Sequence, residues 1–499
     1  MAVRTSAFKT RPGFSPGGIY EMSANSQPEA PHLKRVLGRW DLVLLFVVAI
    51  VNLNVVPAVS ASGGMTVWLW LISLVFFFWP QGMAVVELSH RYPGEGGIYL
   101  WTKKVFGDFH GFLSGWCYWT NNIFYVPTVV LIFVGIVVFT AGPKAVALAN
   151  NPLFTFLSAL VLLILLAFLN VIGLGVGKWV NNIGGIGTAI ASLILIGLGI
   201  TVTHRFGISL SLHDMRIPLD PSLLSAFGVV CFALIGLELA SVMGDEIQEP
   251  QKNVPFAVAW GGVISGFLYI GCTVALLIAV PRTEISAIQG VPQAVSGMAA
   301  KVGVPWLVSP FALVLSISIA GIASAWLSGS ARIPFVAGID SYLPSALGKL
   351  HPKFSTPYIA LFVQTGISII FLAMSFIGAQ VKEAFQTLLD LAVVLNLVPF
   401  LYVFAALIRL SSSDSRESGH YSPLTLRLAG LSGFIVTCLG IALAFVPPPN
   451  ITSKLTFEVK MWVGTIALLL LAGFFFFVYG NRKSSPRPDA SGANLTETL

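Results

Sequence analysis

Runs of roughly 20 mostly apolar residues recur along this chain with little polar sequence between them, and crossing a bilayer core takes about that length. Twelve such runs are predicted, at 40–60, 66–88, 108–140, 153–172, 181–202, 222–244, 255–280, 306–330, 357–378, 385–409, 425–446 and 459–480. The third is long enough to lie tilted. Inside a bilayer the backbone must satisfy its own N–H and C=O groups, so these runs are expected to be helices. Composition agrees: 56% of the residues are hydrophobic and 10% charged, where soluble proteins carry about 25% charged residues. The expected fold class is all-α, a polytopic membrane protein with twelve transmembrane helices. The longest polar stretches are the N-terminal tail, 203–221, 331–356 and the segment after Tyr479, and none is long enough for a soluble catalytic domain. This argues against an enzyme, and no cofactor is expected.

Twelve crossings bring both termini to one side. The tails and loops on that side hold 20 of the 28 Lys and Arg residues, and those on the other side hold 8. The positive-inside rule therefore predicts a multi-pass protein of the cell membrane with both termini cytoplasmic. The net charge of +7 comes from these short loops, which fits a membrane lipid surface and not nucleic acid. Residues 1–38 are polar and rich in Pro and Gly, show no signal peptide, and read as a disordered tail. Met22 offers a second start, so the first 21 residues are expected to be dispensable, which an N-terminal peptide from upstream of Met22 would overturn. Cys117, Cys231, Cys272 and Cys438 all lie in apolar runs and read as packing residues, with no disulfide framework or metal site.

Two runs carry polar residues at depth. In the first, Asn52 and Asn54 lie about twelve residues in, roughly 18 Å deep. With Pro57 close behind, they suggest an interrupted helix around Val51, Asn52, Leu53 and Asn54. Interhelical hydrogen bonding by the two amides is the alternative. In the sixth, Glu238 sits near the middle of an apolar stretch, where a charge costs at least about 2.5–3.5 kcal/mol. Gly236, a poor helix former, stands two residues earlier and marks a second interruption around Leu234, Ile235 and Gly236. Weak points in the first and sixth runs point to a secondary transporter built from inverted five-helix repeats, although no residue-level repeat is visible. Freed N–H groups at a half-helix start would hold a carboxylate, and freed carbonyls at a half-helix end an ammonium. Glu238 either pairs inside the bundle or acts as a proton-binding or gating group. Asp390, near the outer end of the tenth run, is either an interfacial carboxylate or a second group of that kind. Asp41 suits the start of a helix.

The stretch ELSHRYPGEGGIYLW at 87–101 resembles the cytoplasmic motif of the amino acid–polyamine–organocation superfamily of permeases. Its Pro93, Gly94, Gly96 and Gly97 demand a tight turn, and Tyr99 and Trp101 are expected to anchor a short helix at the headgroups. Asn170 to Gly173, Phe232 to Pro255, and Arg332 to Pro357 are similar to the same superfamily in order and spacing, so the resemblance covers 40–410. Within it, the chain looks most like bacterial glutamate/GABA and arginine/agmatine antiporters. That implies a LeuT-type fold, with discontinuous helices 1 and 6. It also implies a gating aromatic at Phe232, a helix-six glutamate at Glu238 and an aromatic over the substrate at Trp326. The chain departs from the pattern at 51–54, where many relatives have a glycine-rich break. Some proton-coupled relatives carry a lysine inside helix five, but here Lys178 is at its edge. Ser324 and Ser328 are weak sodium-site candidates, so proton and sodium both stay open as coupling ions.

The domain reading is a tail at 1–38, a ten-helix transport core at 39–410 with repeats at 40–202 and 222–410, helices 11 and 12 at 411–480, and a cytoplasmic tail at 481–499. The functional reading is a secondary transporter of amino acids or related amines working by alternating access. Asn122 and Tyr125 of the third run join the residues above in lining the site. A polyamine or organic-cation carrier is the alternative. A channel or membrane sensor is less favoured, because no output domain or pore motif is present. Substrate identity, exchange versus uptake and oligomeric state stay open.

Overall fold

Every regular element among the described residues is helical, apart from one isolated parallel bridge between Leu37 and Ile247. The computed structural model describes residues 35–60, 62–207, 224, 226–280, 290–376, 381–412, 419–446 and 454–480, without the side chains of 143, 144, 174, 375, 381–391, 454, 456, 457 and 460. The tails, Met22 and most of 203–221 lie outside them.

Nine helices among the described residues are long and apolar enough to cross a membrane. The other three predicted runs depart from this for local reasons. The first splits into α1 (Arg39–Ile50) and α2 (Val55–Ser60). The sixth splits into α9 (Ala226–Ala233) and α10 (Leu239–Val242). The ninth forms α15 (Tyr358–Ser375), a helix of 18 residues. The second run is α3 (Thr66–Ser73) and α4 (Trp79–Arg91), joined by a π-helical turn at Leu74–Phe78. Ser432 Oγ donates to Phe76 O in that turn at 2.8 Å, which answers one carbonyl there.

Helix starts follow capping chemistry. Asn151 Oδ1 accepts from the N–H groups of Leu153 and Phe154 ahead of α7 (Pro152–Ile172). Asp41, in the first turn of α1, accepts from Gly38 N–H at 3.0 Å, as expected of an acid there. The 87–101 motif turns at Gly97, whose φ is +41°. A Cβ there would lie 2.7 Å from Ser241 Oγ, so only glycine lets this loop press onto α10.

The next helix, α5 (Ile98–Phe106), corrects an expectation. Tyr99 and Trp101 do not reach the headgroups, because both are buried, and Tyr99 Oη donates to Asp340 Oδ2 at 2.6 Å. Helix α6 (Asp108–Val137) is buried along nearly its whole length. It packs against α13 (Val308–Ser330), α15 and α16 (Val381–Ser411). Helix α1 packs on α8 (Leu174–Phe206), α11 (Pro250–Ala279) and α13. At the rim, α17 (Pro423–Ala444) and α18 (Lys454–Gly480) expose Leu424, Leu428, Ile435, Leu470, Phe474 and Phe477, the side chains a lipid would cover. Cys438 is exposed on α17, so only three of the four cysteines are buried packing residues.

Candidate functional site

The first interruption is made by an asparagine. Asn52 Oδ1 accepts from Asn54 N at 3.2 Å and from Asn54 Nδ2 at 3.2 Å, a local turn that competes with the helix. Its Nδ2 donates to Tyr125 Oη at 3.1 Å. Pro57 is not the breaker, because it lies in the first turn of α2, where a proline is tolerated. The carbonyls left at the end of α1 are answered from other helices. Ala49 O accepts from Trp326 Nε1 at 3.0 Å, and Ile50 O accepts from Tyr269 Oη at 2.5 Å.

The second interruption turns on Gly236, with φ +148°. A Cβ there would lie 2.7 Å from Ile50 Cγ1 and 3.3 Å from Ile50 N, so the two interruptions touch. Tyr269 joins them. Besides Ile50 O, its hydroxyl lies 3.1 Å from Ala233 O at the end of α9, and it accepts from Asn52 N at 3.0 Å. Its ring stacks on Trp70 with centroids 4.3 Å apart.

Glu238 is fully buried and held by neutral donors. Oε2 accepts from Gly236 N at 2.9 Å and from Gln81 Nε2 at 2.9 Å, while Oε1 accepts from Tyr118 Oη at 3.0 Å. Tyr118 continues into an aromatic cluster. Its ring lies 6.2 Å from Trp326, Trp326 lies 5.7 Å from Tyr125 edge to face, and Tyr125 lies 5.2 Å from Phe232. Several main-chain groups of the interruptions have no protein partner among the described residues: the N–H groups of Leu53 and Leu237, and the carbonyls of Leu234 and Ile235. The centre therefore combines free main-chain donors and acceptors, aromatic faces and one carboxyl.

Asn52, Tyr125, Phe232, Gly236, Glu238 and Trp326 thus fall in one neighbourhood, and Val51, Leu53, Leu234 and Ile235 form its main chain. Asn54 is turned onto Asn52. Asn122 Nδ2 donates within its own helix to Tyr118 O at 2.8 Å. Ser324 Oγ accepts from Asn170 Nδ2 at 3.1 Å, and Ser328 Oγ accepts from Arg332 Nη1 at 2.9 Å, so a sodium ion at Ser328 would face a guanidinium. The side chain of Asp390 lies outside the described residues. Gln81, Tyr118 and Tyr269 were missed. Their signal was a polar side chain deep in an apolar run, which sequence gives without a partner.

A second polar centre lies at the end of the bundle where α1 begins. Arg332 opens α14 (Arg332–Ile339) and is buried. Its Nε and Nη2 lie 2.9 and 2.8 Å from Glu246 Oε1, and Glu95 Oε1 lies 3.7 Å from its Nε. Nearby, Lys103 pairs with Asp340 at 2.6 Å, and Tyr342 Oη donates to Asp108 at 2.5 Å. Glu87 Oε1 pairs with Arg91 at 2.6 Å, and its Oε2 accepts from the N–H groups of His420 and Tyr421.

The amino acid permease family model matches residues 37–487. An uncharacterised transporter of Legionella pneumophila is 28% identical over 90% of this chain and 96% of its own length. A probable agmatine/putrescine antiporter of Lactococcus lactis is 22% identical over 83% of this chain and 88% of its own. A branched-chain amino acid permease of Bacillus subtilis is 26% identical over 66% of this chain and 72% of its own.

Proposed function

The chain belongs to the amino acid permease family, and from that premise we propose that the paired helix interruptions are where it carries its cargo. It is a secondary transporter of amino acids or related amines, not an enzyme. In the proposed fold, twelve crossings include inverted repeats at 40–202 and 222–410. The interrupted helices are the first and sixth, and both termini are in the cytoplasm of a cell whose plasma membrane holds the protein.

One observation carries the substrate reading: the interruptions touch at Gly236 and Ile50 and leave main-chain donors and acceptors without protein partners. Leu53 and Leu237 N–H are suited to a carboxylate, and the carbonyls of Leu234 and Ile235 to an ammonium. Tyr125, Phe232 and Trp326 offer faces for an apolar or cationic side chain. Glu238 has both oxygens occupied by neutral donors, which suits a gating or titrating carboxyl better than a direct cargo ligand. Alternating access would open this centre to one side at a time.

Purified protein in proteoliposomes, offered a panel of labelled amino acids and amines that includes agmatine and putrescine, should show saturable uptake accelerated by substrate on the far side. Flux linear in concentration would replace the carrier with a channel. Glu238→Gln should flatten the pH dependence of that uptake, and an unchanged profile in correctly inserted protein would remove the titrating role.

A further inference from the structure

We propose that Glu95 is a proton-binding site on the face where α1 begins, filled while the bundle is closed on that face and emptied when it opens. The inference rests on the alternating-access reading above. Three segments meet there: the Pro93–Gly97 turn, the short turn Gly244–Glu246 that follows α10, and the first turn of α14. Gly96 N donates to Val242 O at 3.0 Å, and Glu95 Oε2 accepts from Asp245 N at 3.1 Å, so the turn is docked on the broken sixth helix.

The charges at this junction do not balance. The charged groups facing Glu95 are Glu246 and Asp245 on the turn after α10, and Arg332 on α14. Arg332 is already committed, to Glu246 and to the main chain and hydroxyl of Ser328. Its side chain is 1% exposed, that of Glu246 4% and that of Glu95 6%. Two buried carboxylates thus share one guanidinium, and Glu95 Oε1 has no hydrogen-bond partner among the described residues. A buried charge without a matching partner is expensive, and a proton on Glu95 removes it. Burial, and then the charge of Glu246, hold the Glu95 carboxyl well above the usual carboxylate range, against the opposing pull of Arg332.

When this face opens, the turn separates from α10 and Glu95 meets water, where its carboxyl returns to the usual carboxylate range. The closed state therefore binds the proton more tightly than the open state. Protons stabilise the closed state, fully below the open-state pKa, and that help is lost as pH rises through the closed-state value. Between the two values, each pH unit shifts the closed-to-open ratio by about tenfold. The proton enters and leaves on the same face, so it is not carried across. It acts as a brake applied by acid on that side.

The test clamps pH on the far side of reconstituted full-length protein and varies it on this one. Exchange by the natural sequence should slow as pH falls, by up to about tenfold per unit. Glu95→Gln should be slow throughout and lose this same-side slowing over the same range. Glu95→Gln protein that still slows as steeply as the natural sequence overturns the inference. If no cargo of the panel is exchanged at all, the transport reading fails, and infrared spectroscopy decides the proton separately. In a Glu238→Gln background, which removes the buried carboxyl of the interruptions, a protonated-carboxyl band at neutral pH should be lost in Glu95→Gln. It should also be lost in Glu246→Gln, which frees Arg332 for Glu95. A band that survives both substitutions overturns the inference.

Discussion

The two polar centres of this molecule are built from opposite materials. At the interruptions, main-chain groups, ring faces and hydroxyls meet, and the one carboxyl, Glu238, is met by neutral donors. At the face where α1 begins, formal charges meet: Arg332 with Glu246 and Glu95, Lys103 with Asp340, Arg91 with Glu87. Main-chain groups are fixed in place by the fold and suit recognition of a small cargo. Charged pairs are costly to bury and costly to part, and suit a closure with two states. On the proposed reading the difference makes recognition and closure separable, and substitutions should separate them.

The largest stability loss should come at the charged face. Arg332→Met strands the buried carboxyls and should cost about 3–5 kcal/mol, read as the largest fall in Tm of this series. Gly236→Ala should follow. It forces a side chain onto a φ of +148° against Ile50, a strain of about 1–3 kcal/mol that should cut uptake by about tenfold or more. If its uptake is normal, the touching interruptions are not the cargo site. Tyr269→Phe leaves Ala233 O without its donor, and Ile50 O and Asn52 N with only each other, about 1–3 kcal/mol, and should raise KM while the pH response at Glu95 is kept. A loss of that pH response would join the two centres that are here kept apart. Trp326→Phe removes the single bond to Ala49 O, about 0.5–1.5 kcal/mol, and should weaken uptake by a few-fold. Lys252→Ala breaks an exposed pair with Glu249 and should leave both Tm and uptake unchanged.

How much of this was legible depended on whether the cause was local. The sixth-run interruption could be read because Gly236 and Glu238 are two residues apart and the anomaly is visible in one window. The first was read at the right place with a partly wrong cause: Asn52 makes the turn, whereas Pro57 falls within α2. Nine of the twelve predicted runs are long unbroken helices among the described residues; the first and sixth are split and the ninth is shorter, because hydropathy runs on through an interruption that hydrogen bonds do not. Tyr99 and Trp101 were placed at the headgroups because an aromatic pair after an apolar run has that look, yet tertiary packing buries them. Arg332, Glu246 and Glu95 were each visible, but as parts of three separate stretches. Their meeting spans 86 residues between Glu246 and Arg332, and no local rule joins them.

The hydroxyl of Tyr269 has a consequence of simple arithmetic. It carries one hydrogen and faces two carbonyls, Ile50 O at 2.5 Å and Ala233 O at 3.1 Å. Ile50 O is also served by Asn52 N at 2.8 Å, so when the hydroxyl turns to Ile50 O it is Ala233 O that goes unserved. On the proposed reading, a cargo ammonium at this centre would supply that hydrogen to Ala233 O, relieving a built-in scarcity instead of displacing a settled bond. Whichever carbonyl the hydroxyl then favours, the choice is written in the rotation of a single O–H bond.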